Sequence, residues 1–171
     1  NYCFWMTEDI WSKDLPLFVT SDLLLDAFHV SYDAILRTME EYIIIPKLNT
    51  LLEEMHNAIP EYANKYSSTP AMHEKINDID IYLTVARNLL QDTSYSPYKP
   101  ENNPEIAEII GMINTEKPVK YPLFSSTAKK LDFSQFTPRG HYTLDSVLTK
   151  NFKAMIWLRR TELYLIAPEE P

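Results

Sequence analysis

Four side chains able to bind cations or move protons recur in one short stretch: Asp22, Asp26, His29 and Asp33, within Ser21-Asp22-Leu23-Leu24-Leu25-Asp26-Ala27-Phe28-His29-Val30-Ser31-Tyr32-Asp33. Each residue advances about 100° around a helix, so steps of four, three and four gather them within roughly 60° of one face. Such an array could hold a divalent metal on Asp22, Asp26 and His29, or set the His29 imidazole between carboxylates as a proton carrier beside Asp22. The plainer reading is the solvated side of an amphipathic helix, with Asp favoured near the N-terminus by the helix dipole. The chemical reading stays open because no Lys or Arg is interleaved, although exposed faces usually mix signs.

A second constellation is Thr137-Pro138-Arg139-Gly140-His141-Tyr142-Thr143. Proline and glycine bracket Arg139 in a turn, and His141 follows just before a helix start. A turn that fixes Arg139, His141 and Tyr142 beside a helix N-terminus, with free backbone donors close by, would make an anion pocket. The alternative is a tight turn whose arginine packs on neighbouring carbonyls. His56 and His73 stand alone and read as surface or edge residues, and Trp157 as a packing residue. No Ser-His-Asp or Cys-His arrangement can be written: Cys3 has no histidine or basic neighbour in sequence, and there is no nucleophile elbow.

The elements that would position these groups are helical. Thr20-Ser21-Asp22 offers N-cap oxygens to a stripe that runs Leu24, Phe28, Ser31, Ile35, Thr38, Tyr42, Ile45, Asn49, Leu52, His56 and Ile59. Before it, Leu17–Thr20 reads as extended, after a short helical turn. Pro46 removes a backbone donor within the stripe, so residues 21–59 are not expected to form one straight helix. Tyr62–Ser68 reads as a connection, and Ser68-Thr69-Pro70 as the start of a second helix ending near Gln91. That helix carries Met72, Ile76, Ile79, Leu83, Ala86 and Leu90 on one face, with His73, Asp80, Arg87 and Asn88 off it. Residues 92–104 are too proline-rich for a regular element, and Asn103-Pro104-Glu105 starts a short helix. Thr115 to Pro138 reads as an extended aromatic segment, either a two-stranded element or a structured loop. Thr143 is expected to cap the last helix, whose stripe is Leu144, Leu148, Phe152, Met155, Arg159, Leu163 and Ile166. Arg159 is out of place there: its guanidinium must either reach outward at the stripe's edge or pair with a carboxylate, Asp22 or else Asp26.

Composition narrows the function classes. The chain has 171 residues, 45% of them hydrophobic and 23% charged, the composition of an ordinary globular protein. It holds only 2 glycines, so no glycine-rich phosphate loop can be built, and a net charge of −8 argues against a nucleic-acid footprint. The single cysteine excludes an internal disulfide and a cysteine-based zinc site. No apolar run is long enough to span a bilayer. The first residues lack an initiator Met and a basic leader, and an apolar helix leads straight into Ala167-Pro168-Glu169-Glu170-Pro171, as expected of a piece of a longer polypeptide.

Several segments are familiar. Pro16-Leu17-Phe18-Val19-Thr20-Ser21-Asp22, Ala27-Phe28-His29, Phe133 through Thr143 with its Pro-Arg-Gly-His-Tyr-Thr string, and Asn151-Phe152-Lys153-Ala154-Met155-Ile156-Trp157-Leu158 resemble the uncharacterised family known as domain of unknown function 3160. The resemblance implies a fragment of a longer bacterial or archaeal protein, envelope-associated or secreted, and implies no activity. Many members of the family carry His at the position of Asp26, so Asp26 here weakens a transition-metal site and favours an oxygen-rich one or none.

The expected fold is therefore all-α: one irregular antiparallel helical domain over residues 1–171, with a long Pro-rich extended segment. The leading expectation for function is a structural or interaction module whose partners are the remainder of its own polypeptide or other protein subunits, with no nucleic acid and no transmembrane segment. The alternative is a hydrolase or a ligand- or metal-binding domain using the Asp22/Asp26/His29 face and the Arg139–His141 turn. No cofactor is expected beyond a possible divalent metal. Reaction, substrate and oligomeric state are not legible.

Overall fold

The computed structural model describes residues 2–14, 20–91, 93–124 and 129–163. Its backbone forms two compact units, Asn1–Arg37 and Thr38–Pro171. Apart from one small hairpin the described residues form an all-α fold.

The first unit holds α1 (Tyr2–Ser12) and most of α2 (Ser21–Met39). The Leu23 N–H donates to Thr20 Oγ1 at 3.1 Å, the N-cap bond that the sequence offers. No residue of α2 is buried, and Leu24, Phe28 and Ile35 of its stripe are exposed. The extended reading of Leu17–Thr20 falls largely on 15–19, outside the described residues.

After Met39 the helix changes register. Glu40–Ile44 is a π turn, closed by the Ile45 N–H donating to the Glu40 carbonyl, and α3 (Ile45–Lys65) follows with Pro46 in its first turn. The absent Pro46 N–H supplies the reason: with no donor there for an i−4 carbonyl, the ladder takes up an extra residue just before the proline. The expected irregularity is thus a widened turn rather than a gap. Its side effect is a change of phase. Beyond the turn Ile45, Leu48, Leu52 and Ile59 of the expected stripe face the core, whereas Tyr42 is 76% exposed and Glu40 is buried in its stead. The helix also continues past the expected end at Ile59 and through Pro60 to Lys65. Ile59 and Ala63 pack on the core there, offsetting the ~3 kcal/mol that an interior proline costs.

Thr69 and Pro70 open α4 (Pro70–Leu90), which stops at Gln91. The short link makes α3 and α4 antiparallel neighbours. α4 is the centre of the second unit, in contact with α3, with α5 (Asn103–Thr115) and with α6 (Ser146–Arg160). It therefore has no wide solvated side, and Asp80 and Arg87, expected off the apolar face, are buried. A reciprocal bond pair ties α4 to α6: Trp157 Nε1 donates to the Tyr82 carbonyl and Tyr82 Oη to the Leu158 carbonyl, each at 3.0 Å. Trp157 is a packing residue, as expected.

The segment after α5 contains the two-stranded alternative: β1 (Pro118–Tyr121) pairs antiparallel with β2 (Lys129–Asp132), Val119 opposite Leu131. A 3-10 turn, Phe133–Phe136, then inserts two aromatic rings into the core. A second, Gly140–Thr143, precedes α6, whose N-cap is Asp145 rather than Thr143: Asp145 Oδ1 accepts from the Val147 N–H at 2.9 Å. The buried face of α6 is Leu148, Asn151, Ala154 and Trp157, rotated from the expected stripe, so Leu144, Met155 and Arg159 are exposed. Arg159 thus takes the outward resolution at the stripe's edge. Of the last two expected stripe positions, Leu163 lies past the end of α6 and packs against the core, and Ile166 lies outside the described residues.

Candidate functional site

The structure treats the two sequence motifs differently. On α2, His29 Nδ1 lies 3.8 Å from Asp33 Oδ2, with side chains 74% and 39% exposed. Asp22 and Asp26 are exposed on the same helix. Among the described residues no three His, Cys, Asp or Glu side chains converge as a metal ion would require.

The turn before α6 is built otherwise. Gly140 takes φ +59, a left-handed backbone that a side chain would strain, and Thr143 Oγ1 donates back to its carbonyl at 2.9 Å. Thr149 Oγ1 on α6 donates to the Tyr142 carbonyl at 2.7 Å. The turn so fixed directs two consecutive side chains at one acceptor. His141 Nε2 lies 3.1 Å from Glu40 Oε2, and Tyr142 Oη donates to Glu40 Oε1 at 2.7 Å. The imidazole and phenol rings are 4.1 Å apart, and Tyr142 leans on Phe152 at 4.9 Å. Burial, reinforced by the hydrogen bond to Glu40 and its charge, pushes the Tyr142 hydroxyl up to about 12. Arg139 is exposed. The acidic group that His141 and Tyr142 engage is therefore a side chain of the protein itself, Glu40, brought inward by the π turn.

Beside this cluster lies a cavity of about 250 Å³ lined by Glu40, Ile44, Tyr142, Asn151, Phe152, Met155, Ile156 and Arg159. Asn151 is 2% exposed and its Oδ1 has no hydrogen-bond partner. A buried acceptor left unmet costs about 1–3 kcal/mol, so a donor brought to Asn151 from outside the fold would be stabilised.

A second buried carboxylate sits on α4. Asp80 is wholly buried and accepts from the Tyr98 N–H at 2.8 Å, the Lys99 N–H at 3.0 Å and Asn102 Nδ2 at 2.8 Å, with His56 Nε2 3.5 Å away. Burial raises its pKa, but the His56 imidazole and these donors outweigh that and hold it below the ordinary 3.8. His56 is thus neither a surface residue nor alone. Nearby, Arg87 stacks 4.0 Å over the Tyr95 ring, and the Tyr95 N–H donates to Asn88 Oδ1. The Pro-rich segment is held to α4 by these bonds.

Sequence reading placed His141 in the site and missed Glu40, Asn151 and Arg159 as its companions. One signal was available for Glu40: it sits six residues before Pro46, where an interrupted ladder must change the face that the helix presents.

The whole chain, residues 2–171, matches the family described as "Protein of unknown function (DUF3160)". The chain belongs to this family. No curated protein and no solved structure matched it. The sequence resemblance and the family match agree, and neither carries an activity. No described helix of this family member is long and apolar enough to cross a membrane.

Proposed function

We propose that the chain is a helical binding module and that the cavity at the π turn holds a small ligand. The observation that supports this is a cavity lined by two buried polar residues, Glu40 and Asn151, the second of which has an amide oxygen with no partner. The test uses Met155, which lines the cavity, as a reporter. Its methyl resonance, assigned with Met155→Leu, should shift with members of a fragment set spanning neutral amides, alcohols, amines and carboxylates. A methyl indifferent to all of them would mean that water alone fills the cavity.

A second reading, a structural module packed against the remainder of a longer polypeptide, is supported by α2. That helix has 19 residues and no buried one, and its apolar stripe is exposed, which soluble surfaces generally avoid. Light scattering of the purified chain should show association that Phe28→Glu relieves; a clean monomer at high concentration counts against this reading. A place in the cell envelope or outside the cell rests on the family resemblance alone and is part of the same proposal.

A further inference from the structure

The cavity at the π turn also indicates which chemical class it takes, an inference that rests on its being a ligand site. Its polar groups are sorted by depth. The deep ones carry acceptors: Asn151, 2% exposed, with its Oδ1 unmet, and Glu40, 9% exposed, whose two oxygens are engaged by Tyr142 and His141. An inner wall of acceptors next to a carboxyl group calls for a donor that is neutral or positive. Among the described lining residues the one cation, Arg159, is exposed and so stands toward solvent. A guanidinium has five donors in a fixed fork and no acceptor, the complement of a carboxylate. The rest of the wall, Ile44, Phe152, Met155 and Ile156, is apolar.

We infer that the cavity binds a small apolar amino carboxylate. Its ammonium group would face Asn151 Oδ1 and Glu40, its carboxylate Arg159, and its hydrocarbon part the wall formed by Ile44, Phe152, Met155 and Ile156. Size agrees: 250 Å³ divided by the ~30 Å³ of a liquid water leaves room for about eight water-sized groups, the scale of a single amino acid. A dianion such as phosphate does not fit this pattern, because Glu40 would repel it at short range.

Three probes separate the parts: L-leucine, 3-methylbutan-1-amine, which keeps the ammonium alone, and 4-methylpentanoate, which keeps the carboxylate alone. Each is titrated into the wild-type chain, Asn151→Leu and Arg159→Gln, with Met155 methyl shifts and calorimetry as readouts. Leucine should bind at least about tenfold more tightly than either analogue, since each lacks one charge-assisted contact. Arg159→Gln, an exposed change, should weaken leucine about tenfold and leave the amine unaffected. Asn151→Leu should weaken leucine and the amine and leave 4-methylpentanoate unaffected. If leucine binds no better than its analogues, or if only neutral fragments move Met155, the amino-carboxylate class is wrong while the ligand site stands. If neither these probes nor the wider fragment set moves Met155, both fall.

Discussion

Asp80 and Glu40 are both buried carboxyl groups in the second unit, and they are used in opposite ways. Asp80 is closed: backbone N–H groups of Tyr98 and Lys99, the Asn102 amide and the His56 imidazole surround it, and its place in the fold is to latch the Pro-rich segment to α4. Glu40 is held by only two side chains from one turn, and it borders a cavity in which a neighbouring amide oxygen is unmet. Burial of a charge does not by itself distinguish a structural site from a functional one. The useful distinction is where the unmet atom lies: beside Asp80 it is His56 Nε2, which faces the carboxylate 3.5 Å away, whereas near Glu40 it belongs to Asn151, a residue that lines a cavity.

That contrast can be broken most forcefully at Asp80. Asp80→Ala strands the Tyr98 and Lys99 N–H groups, Asn102 Nδ2, Thr84 Oγ1 and the imidazole, and should cost about 3–5 kcal/mol in chemical denaturation. The pH dependence has a definite sign. Asp80's folded pKa is depressed, so its contribution is in place above its unfolded value of 3.8 and is lost as pH falls through the lower folded value. Asp80→Asn should flatten that acid limb; an acid limb as steep as in the unmutated chain would show that Asp80 is no latch.

Glu40→Ala should cost less, about 1–3 kcal/mol, because it leaves only the His141 and Tyr142 donors without their acceptor. A loss as large as that at Asp80 would erase the difference between the two regions. Tyr142 gives the opposite pH limb: its pKa is raised to about 12 from the ordinary 10.0, so the stability it lends is complete below pH 10 and disappears as pH climbs toward 12. Tyr142→Phe should remove that part of the alkaline limb in denaturation midpoints measured across this range.

Gly140→Ala tests the turn alone, since a Cβ there would meet nothing within 4 Å while φ is +59. A left-handed alanine should cost about 1–2 kcal/mol and loosen His141 and Tyr142 from Glu40, visible as a change in their ring resonances. The smallest effect belongs to the motif that looked most chemical in the sequence. His29→Ala removes an exposed pairing at 3.8 Å and should change the midpoint by no more than about 0.5 kcal/mol.

Much of this was legible from residues close together in the chain. Thr20 as a cap, Thr69-Pro70 as a start, the interruption announced by Pro46 and the turn around Gly140 all depend on atoms a few residues apart, so local rules reach them. The acidic face of α2 was legible too, and its solvated character follows from the helix periodicity that defined it. The two buried carboxylates were not. Glu40 meets partners 101 and 102 positions away, and Asp80 is held by a loop 18 to 22 positions on. Sequence thus determined where helices begin and where their ladders must falter. Which carboxyl group ends up inside, and whether its surroundings are complete, was decided only when α4 became the centre of the second unit and the turn before α6 came against the π turn. Burial is a property of what packs around a residue, and no local spacing encodes that.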